Sequence, residues 1–389
     1  MGKLLVLDSH PIQYRAPLYR CLCEQLERAG HRLDVVFASD SSLRGATDSG
    51  FGQPVKWDEP LLEGYTSEFL PTASQSVPAG FHSLSGKGVA ALVASKAPDV
   101  LFLNGLGYRF CVSALTAARL RGIPVWLRSE TQDFAFCRSI WKSLIRATIY
   151  RIAYSQIHRF FAIGELNAAH YQAHGVPLSR IRFARYCVVD RFSLDAGEKE
   201  SRRAALRQRL NFAADTVVLL FCGKLIEKKN PAVIIEALKR LSPSTRQKFA
   251  AVFVGSGELE TSLREAAQES GVQTVFSGFV NQSEIADYYL AADVLVLPSR
   301  QMGETWGLVA NEALMAACPV ILSRHAGSSI DFARFEGVTV IDPEAEPLAN
   351  ALSTLSPATN PSAIRAQMKD YTIEAAADAI AKEFQSALS

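Results

Sequence analysis

Two glutamates eight residues apart have the surroundings in this chain that most clearly indicate chemistry. Glu304 lies in a glycine-flanked loop after a predicted strand, and Glu312 follows inside an otherwise apolar helix. A carboxylate among leucine, valine and alanine side chains is costly to bury unless a partner donates hydrogen bonds to it. The two hydroxyls of a ribose could donate those bonds to Glu312, and so could an internal polar network or a lysine. This segment alone leaves both interpretations open.

Two lysines in an earlier loop offer positive charge to an anion. Gly223 lets the backbone turn directly after a strand, and Lys224 and Lys229 then leave the loop as two ammonium groups. Two such groups can bind a diphosphate from two sides. A solvated basic turn is the alternative interpretation of the same residues.

A glycine loop at residues 255–257 also follows a strand and opens a helix. It has only two of the three glycines of a dinucleotide fingerprint, so a tight strand-to-helix turn explains it equally well. The amides at the start of the helix near Gly307 favour a phosphate. The sequence contains no D-x-D pair that could hold a divalent ion against a diphosphate, so we expect no metal site.

The elements that must position these loops alternate short β-rich runs with longer amphipathic runs, which is typical of βαβ units and a parallel sheet. At 389 residues the chain is long for one core, so we expect two α/β domains. Strands are predicted at residues 4–7, 33–38, 100–103, 125–128 and 160–163 in the first half, and at residues 217–222, 250–254, 275–277, 294–297 and 319–322 in the second.

Three segments do not follow this alternation of β-rich and amphipathic runs. Residues 41–88 are rich in serine, glycine and proline, which predicts either an acceptor-binding loop or a strand pair on the domain edge. Residues 195–211 are charged and arginine-rich, as expected for the exposed start of a second domain. Residues 373–389 have the pattern of a solvated amphipathic helix.

Taken together, the loops resemble the C-terminal half of the retaining glycosyltransferases of family 4, the group 1 transferases, which have the GT-B fold. Four motifs carry the resemblance in the family's order: the basic pair Lys224 and Lys229, the glycine loop 255–257, the base-binding turn 277–280, and the E-x7-E pair Glu304 and Glu312. The resemblance is close over residues 217–343. It implies an α/β protein with two Rossmann-like, doubly wound domains that face each other across a cleft.

The resemblance also implies how the chain divides. We expect an acceptor-side domain at residues 1–187 and a donor-side domain at residues 188–372. The terminal helix, residues 373–389, is expected to pack back on the first domain.

Roles for individual residues follow from the same resemblance. The catalytic group would be Glu304, Lys229 and Lys224, with the lysines stabilising the departing diphosphate and Glu304 contacting the sugar. The donor-binding group would comprise Gly223, Gly255, Phe279, Val280, Gly307, Leu308, Val309 and Glu312, with Glu312 on the ribose. No cofactor is implied, because the nucleotide-sugar is a co-substrate. Since Glu304 lies in a loop, its truncation is expected to leave the stability of the fold unchanged.

The first half resembles the family more loosely, through His10 and Tyr14 in the loop after the first strand. Where the family often has a histidine near the donor sugar, this chain has Arg128 and Glu130. We expect these four side chains on the acceptor or sugar side of the cleft. The acceptor would be a glycan, a lipid-linked molecule or a small molecule.

Composition narrows the range of partners and compartments. The formal net charge of +2 is too small to indicate nucleic-acid binding, and the seven scattered cysteines favour a reducing compartment. No apolar run is long enough to span a bilayer, and the first strand is interrupted too early for a signal peptide. We therefore expect a cytoplasmic protein.

A basic helix predicted within residues 138–159 could bind a membrane surface. Arg138, Lys142 and Arg146 recur at intervals of four among apolar residues, and no acidic residue occurs from residue 134 to residue 164. Such a helix could lie on an anionic membrane surface, which would place the protein at the inner face of the membrane, or be an ordinary surface helix.

The predicted function is metal-independent transfer of a sugar from a nucleotide-sugar, expected to be a UDP-sugar, with retention at the anomeric carbon. Two alternatives stay open, a GT-B sugar-nucleotide epimerase and a catalytically silent nucleotide-sugar-binding scaffold. The pair Glu304 and Glu312 argues against the epimerase. The same pair, together with both lysines, argues against the scaffold.

Overall fold

The computed structural model describes residues 1–45, 47–48, 53–54, 57–75, 77–355 and 360–388. It contains two fully parallel sheets, of seven and six strands, which confirms the predicted α/β class with two Rossmann-like domains. Across the described residues, no helix combines the length and the apolar character that crossing a bilayer requires.

The first sheet and its covering helices come from the first half of the chain. The strands are β1 (Lys3–Asp8), β2 (Arg32–Ser39), β3 (Thr47–Asp48), β4 (Gln53–Pro54), β5 (Thr66–Ser74), β6 (Val100–Asn104), β7 (Val125–Arg128), β8 (Arg159–Ala162) and β9 (Ile181–Phe183). The helices are α1 (Ala16–Arg28), α2 (Val89–Lys96), α3 (Arg109–Arg119), α4 (Ile140–Tyr154) and α5 (Glu165–Ala173). The sheet order is β5-β2-β1-β6-β7-β8-β9, and β3 and β4 form a separate antiparallel pair.

The second sheet follows with the same alternation. Its strands are β10 (Val217–Cys222), β11 (Phe249–Val254), β12 (Gln273–Gly278), β13 (Val294–Leu297), β14 (Val320–Ser323) and β15 (Val338–Ile341). The helices are α6 (Ala196–Arg209), α7 (Ala232–Arg240), α8 (Pro243–Arg246), α9 (Glu260–Ser270), α10 (Ile285–Ala291), α11 (Leu308–Met315), α12 (Ser329–Phe332), α13 (Ala345–Ser353), α14 (Pro361–Ala366) and α15 (Ile373–Leu388). The sheet order is β12-β11-β10-β13-β14-β15.

Each sheet is buried on both faces, which explains the nearly continuous apolar runs that predicted its strands. In β1, Leu5 and Leu7 pack into a core with α3, whereas Leu4 and Val6 pack on the other face with α1. Successive side chains of a strand point to opposite faces, so a single strand supplies both layers of the core.

All the predicted strands are present, with ends shifted by two residues or fewer. The strands that the sequence did not predict are the short or polar ones at sheet edges and in the 41–88 segment, namely β3, β4, β5, β9 and β15. Within residues 41–88, β3 and β4 form a strand pair and β5 joins the sheet beside β2, as one of the two interpretations predicted. Residues 46, 49–52, 55–56 and 76 of this segment lie outside the described residues.

The arginine-rich segment at residues 195–211 contains helix α6, and most of its residues are exposed, as predicted for the start of the second half. The Asp195 side chain caps the helix by accepting a backbone N–H bond of 2.8 Å. Arg203 and Arg207 both bind Asp293 just before β13, at 2.6 and 3.0 Å. These charges therefore fasten the helix to the sheet.

Helix α15 is amphipathic as predicted, and its apolar side returns to the first domain and packs on α1. Phe384 is fully buried there, with its ring 6.1 Å from that of Trp126. Glu383 binds Arg182 at 2.8 Å and also pairs with Arg159. The last helix thus completes the core of the first sheet, whereas the domain boundaries expected at residues 187–188 and 372–373 stay predictions.

The predicted basic helix is α4, but its boundaries are narrower than residues 138–159. Arg138 precedes the first turn, so it does not share a helix face with Lys142 and Arg146. Arg159 lies on β8 and is ion-paired with Glu383, which removes it from the basic surface. The sequence has no glycine or proline between residues 140 and 159, so it gave no signal for the end of the helix before β8.

Both sheets bring the loops at their switch points to one cleft. The strand order reverses between β1 and β6 in the first sheet and between β10 and β13 in the second. Ligands of open α/β sheets bind at the carboxyl ends of strands at such points. The loops after β1, β10 and β13 are therefore the ones that meet across the cleft.

Candidate active site

A cavity of about 210 Å³ lies between the two domains, and we call it the donor cavity. It is lined by Gly223, Gly255, Phe279, Val280, Leu308, Val309 and Glu312, all of which the sequence predicted as donor-binding residues. Gln13, Tyr14 and Trp57 contribute to the lining from the first domain. The eighth predicted residue, Gly307, immediately precedes the lining residue Leu308.

Glu304 and Lys229, which are 75 positions apart in the chain, are direct partners. Lys229 Nζ donates to Glu304 Oε2, and Ser299 Oγ donates to the same oxygen at 3.0 Å. Lys228 Nζ donates to the carbonyl of Gly303 at 2.7 Å. Glu304 is only 6% exposed, so it is not the freely solvated loop residue on which the expectation of a harmless truncation was based. A loop side chain is buried here because three elements converge on it.

The charges around Glu304 determine its protonation. Burial alone would raise the pKa of Glu304, but Lys229 and Lys228 hold that pKa below its usual value. Burial lowers the pKa of Lys228, and the nearby charges of Lys229 and Lys224 lower it further. Lys224 and Lys229 therefore lie close enough to influence Lys228, and the three lysines outnumber the two carboxylates, Glu304 and Glu130, that act on Lys228.

Glu312 has an internal hydrogen-bond partner and also lines the donor cavity, while its contact with a ribose stays a prediction. Tyr289, on α10, donates a hydrogen bond to Glu312 Oε2, which satisfies one carboxylate oxygen internally. Both side chains line the donor cavity. Burial raises the pKa of Glu312, and the bond from Tyr289 and the charge of Arg191 offset this only in part. A ligand that donates to this carboxylate would thus relieve an existing cost of desolvation.

Two glycines allow the loops after β10 and β11 to touch. A Cβ on Gly255 would lie 2.0 Å from the carbonyl oxygen of Gly223, and the φ of Gly255 is 128°, so only glycine fits there. A Cβ on Gly223 would lie 4.0 Å from Lys229 Cε. The side chain of Lys229 is therefore close to the wall of the donor cavity, although its ammonium group is outside the lining.

Helix α11 begins at the donor cavity. Gly307 is its N-cap with a φ of 99°, and no side chain caps this end of the helix. Leu308 and Val309 form the first turn and line the cavity. A helix N-terminus offers unpaired amide donors and partial positive charge. Its position matches the phosphate contact predicted for these three residues.

Part of the 41–88 segment reaches across the cleft to the base-binding turn. The rings of Trp57 and Phe279 have centroids 5.6 Å apart. The Asp58 carboxylate accepts backbone N–H bonds from Gln282 and Ser283, at 3.1 and 3.0 Å. We expected acceptor recognition or an edge strand pair here, whereas these described residues contact the donor side.

The first domain contributes a buried charge network around Glu130. Arg15 binds Glu130 at 3.0 Å and Asp8 at 2.6 Å. Tyr186 donates to Glu130, and Thr305 of the second domain donates to it at 3.2 Å. Burial alone would raise the pKa of Glu130, but Arg15 and the bond from Tyr186 keep that pKa below its usual value. This carboxylate therefore stays ionised and joins the two domains beside Glu304.

A second cavity of about 430 Å³, which we call the acceptor-side cavity, opens next to this network. His10, Tyr14, Glu130 and Thr305 are among its lining residues, and Tyr14 also lines the donor cavity. Burial lowers the pKa of His10, and the charge of Asp8 offsets this in part. Burial and the charge of Glu130 raise the pKa of Tyr14. The structure thus brings three of the four predicted acceptor-side residues together.

Arg128 is the exception, and its predicted contact with sugar or acceptor is corrected by the structure. Its side chain is buried and donates to the carbonyl oxygens of Ala184 and Arg185, at 3.1 and 3.2 Å. The guanidinium also lies 5.0 Å from the ring centre of Tyr186. Arg128 therefore stabilises the strand ends beneath the cleft.

Several residues of the site were not predicted. Lys228 was not singled out because it adjoins Lys229, which was already predicted. Tyr289 was missed because the sequence does not show that its helix faces Glu312. Asn230 adopts a left-handed conformation, with a φ of 55°, and donates to the carbonyls of Pro298 and Pro343 at 3.2 and 2.9 Å.

Among the described residues, one group of three side chains could offer ligands to a metal ion, namely Asp133, His170 and His174. Internal bonds already use most of these atoms. His170 bonds Asp133 through Nδ1 and Tyr154 through Nε2, both at 2.9 Å, and His174 Nδ1 bonds the His170 carbonyl at 2.8 Å. We interpret this group as a polar support for α4 and α5.

Two family models match the chain. The model described as glycosyl transferase 4-like domain matches residues 19–187, and the model described as glycosyl transferases group 1 matches residues 202–375. Together the two matches cover most of the chain. The second match contains every residue predicted to bind the donor.

Curated relatives match over shorter stretches. The chain is 32% identical over 160 residues to D-inositol 3-phosphate glycosyltransferase of Xylanimonas cellulosilytica, covering 40% of this chain and 37% of that protein. It is 30% identical over 140 residues to lipopolysaccharide 1,2-N-acetylglucosaminetransferase of Salmonella typhimurium, covering 34% and 36%. The chain thus spans about a third of the length of the curated relatives it matches.

The structure is similar to solved structures over its whole length. The crystal structure of Anabaena HepE in complex with UDP and glucose superposes with a TM-score of 0.70 at 18% identity, covering 99% of this chain and 100% of that one. At this identity the similarity shows the fold. The predicted GT-B arrangement is confirmed.

Proposed function

The chain belongs to the group 1 glycosyl transferases, and from this we propose that it transfers a sugar from a nucleotide-sugar donor to an acceptor in the interdomain cleft. The observation that carries the proposal is the donor cavity. Seven of the eight predicted donor-binding residues line it, and the lysine cluster around Glu304 lies at its edge. The cavity thus combines a site for a nucleoside with positive charge for a diphosphate.

The lysines act on the leaving group. Negative charge develops on the diphosphate as its bond to the sugar breaks, and preorganised positive groups stabilise that charge without reorganising at the moment of reaction. Lys229 is held against Gly223 by its ion pair with Glu304. The helix start at Gly307 to Val309 adds backbone donors. Because these groups supply the charge that a divalent ion would otherwise supply, we propose metal-independent transfer.

The two glutamates bind different parts of the donor. Glu312 lines the donor cavity and already receives one bond from Tyr289, so its second oxygen is the acceptor for a ribose hydroxyl. Glu304 lies beside the leaving-group lysine and contacts hydroxyls of the transferred sugar. Its ion pair lowers its nucleophilicity, which suits a hydrogen-bond acceptor better than a covalent catalyst.

We propose transfer with retention at the anomeric carbon. The acceptor oxygen bonds to this carbon on the face from which the diphosphate departs, while the carbon–oxygen bond to phosphate breaks. The proton of the acceptor hydroxyl passes to the departing phosphate oxygen, so the products are the glycoside and a nucleoside diphosphate. No protein nucleophile is required.

A UDP-sugar is the proposed donor. Anabaena HepE, which shares the fold, was solved with UDP and glucose. In this chain the base would lie near Phe279 and Val280, with the ring of Trp57 at the same wall. The acceptor enters from the acceptor-side cavity, between His10 and Glu130.

Helix α4 is the proposed contact with an anionic membrane surface. Ile140, Trp141 and Leu144 are 77%, 76% and 54% exposed, which leaves an apolar strip on one side of the helix. A tryptophan on such a strip, with lysine and arginine nearby, suits the lipid interface. Co-sedimentation with vesicles of phosphatidylglycerol and phosphatidylcholine should fall in Trp141→Ala and in high salt. If the wild type and Trp141→Ala sediment equally with the vesicles, this membrane contact is wrong.

The function is tested by measuring thermal stability with UDP, GDP and ADP, followed by donor turnover. A ligand at a hundred times its dissociation constant adds roughly 2.7 kcal/mol of stability, so UDP should raise Tm clearly. Glu312→Ala should lose this shift, whereas Glu265→Ala, a surface change on α9, should keep it. Absence of any nucleotide shift would refute the proposal. An epimerised donor would favour an epimerase, and binding without turnover with any acceptor would favour a scaffold.

A further inference from the structure

A large apolar groove lies between α3 and α4, outside the donor cavity. Its volume is about 1210 Å³, above the range of about 300–1,000 Å³ typical of small-molecule sites. Val112 and Leu115 line one side, and Ile145, Ile149 and Ile152 line the other. The three isoleucines are more than half exposed. A continuous apolar surface of this kind is costly to leave in water and marks a binding site.

One end of this α3–α4 groove is basic. Arg138, Lys142 and Arg146 line it, and the Nε of Arg146 is buried without a hydrogen-bond partner in the described part of the chain. No salt bridge between described residues engages Arg138 or Arg146. Asp133 interacts electrostatically with both arginines, but its carboxylate is bound to His170 at 2.9 Å. Two partly buried guanidinium groups with no carboxylate bound to them among the described residues favour an anion such as a phosphate.

The basic end adjoins the proposed catalytic loop. Phe136, Arg138 and Arg146 line both the groove and the acceptor-side cavity. The ring of Phe136 fills the space beside Gly303, where a Cβ would lie 2.3 Å from its Cζ. The Gly303 amide also bonds the carbonyl of Ala135 at 2.7 Å. The groove therefore leads directly to the loop that carries Glu304.

We propose that the α3–α4 groove binds the hydrocarbon chain of a lipid-linked acceptor, with the phosphate of that acceptor at Arg138 and Arg146. This inference rests on the proposed function and specifies its acceptor. The apolar walls match an extended chain, whereas a nucleotide or a peptide would require polar partners along them. The guanidinium pair matches a phosphate, which arginine binds bidentately. The reacting hydroxyl beyond the phosphate would then lie in the acceptor-side cavity near Glu130.

The test measures binding to the full chain by titration calorimetry, so it needs no turnover. The probe is dodecyl phosphate below its critical micelle concentration, with dodecanol and inorganic phosphate as the two halves of the ligand. Dodecyl phosphate should bind at least about tenfold more tightly than either half, because burial of its methylenes adds affinity over inorganic phosphate and the arginine–phosphate contact adds affinity over dodecanol. Binding no tighter than that of inorganic phosphate would overturn the proposal.

Matched variants locate the site. Ile145→Glu places a charge in the groove, whereas Leu144→Glu places the same charge on the neighbouring, similarly exposed residue outside it. Only the first should weaken binding of dodecyl phosphate by about tenfold or more. Equal losses in the two variants would assign the binding to the outer helix surface and overturn the groove. Arg138→Gln with Arg146→Gln should remove the preference for dodecyl phosphate over dodecanol, and a retained preference would contradict the phosphate site.

A parallel titration with UDP separates this proposal from the proposed function. If UDP binds but dodecyl phosphate does not, the transferase assignment survives and the lipid groove is wrong. If dodecyl phosphate binds in the groove and UDP does not bind, the lipid site stands and the nucleotide-sugar function fails. Circular dichroism of each variant confirms that a loss of binding is not a loss of fold.

Discussion

Replacing Lys229 with methionine should separate its effect on stability from its effect on turnover. The Glu304 side chain that it binds is 8% exposed, against 18% for the lysine itself. Methionine keeps most of the apolar stem, but Glu304 loses the charge that chiefly offsets its burial. Breaking a fully buried ion pair typically costs about 3–5 kcal/mol. Because Ser299 still donates to Glu304 and the charge of Lys228 remains nearby, we expect a loss of about 2 kcal/mol.

The loss should depend on pH in a defined direction. In the wild type, the lowered pKa of Glu304 contributes stability above the unfolded-state pKa, and this stability is lost as the pH falls through the folded-state pKa. In Lys229→Met the pKa of Glu304 rises, so the penalty is present at neutral pH and disappears below the unfolded-state value of about 4.3. The difference between the two proteins should therefore narrow on acidification. Adding Glu304→Gln should restore most of the stability but no turnover.

The assay is thermal unfolding beside steady-state kinetics. A loss of about 2 kcal/mol in the free energy of unfolding lowers Tm by about 4–8 °C for a domain of roughly 150–250 residues. Turnover should fall by about 100- to 1000-fold, as for loss of one preorganised donor to developing charge. Lys239→Met, which breaks an exposed pair with Glu269 at 3.7 Å, is the control and should change Tm little. An unchanged Tm in Lys229→Met at neutral pH, or turnover in the double variant, would refute this reasoning.

The remaining predictions concern the two glutamates and metal dependence. Glu312→Ala should raise KM for the donor by about tenfold, because ribose contacts are equal in the ground and transition states. Glu304→Ala should instead lower kcat more than it raises KM. The reverse pattern in steady-state kinetics would exchange the two roles. Glu312→Gln should stabilise the protein against urea, because burial raises the pKa of Glu312 and the folded state loses stability as the pH rises above the unfolded-state value. This gain should be larger at alkaline than at acidic pH, and a gain independent of pH would contradict it. Activity should survive excess EDTA, and loss that magnesium or manganese restores would contradict metal-independent transfer.

Local pattern was sufficient for the architecture and for much of the donor cavity. Apolar runs of four to six residues identified the central strands, because a strand buried on both faces must be apolar at nearly every position. The loops after such strands then had to meet at the switch points. Residues such as Gly255 and Val309 were identified from the family resemblance and from their place in a loop or at a helix start, which needs no knowledge of distant neighbours.

Local pattern failed where a side chain's partner is remote in the chain. Glu304 looked like an exposed loop residue, yet Lys229 and Ser299 bury it. Arg128 ended a predicted strand at the cleft, yet its guanidinium turns to the carbonyls of Ala184 and Arg185. A sequence specifies which residue types are present, but the direction of a long polar side chain depends on which acceptor lies nearest after folding.

The sequence by itself determined the two parallel sheets, the order of the donor loops and the basic, apolar character of α4. Only the tertiary structure decided that Tyr289 faces Glu312 and that Arg159, on β8, is ion-paired with Glu383 of α15. It also decided that α3 and α4 leave a groove between them. The physical reason is that the spacing of apolar residues shows which face of an element is buried, but not which other element covers that face. The identity of that neighbour, or the space left where none packs, depends on how whole elements are placed in three dimensions.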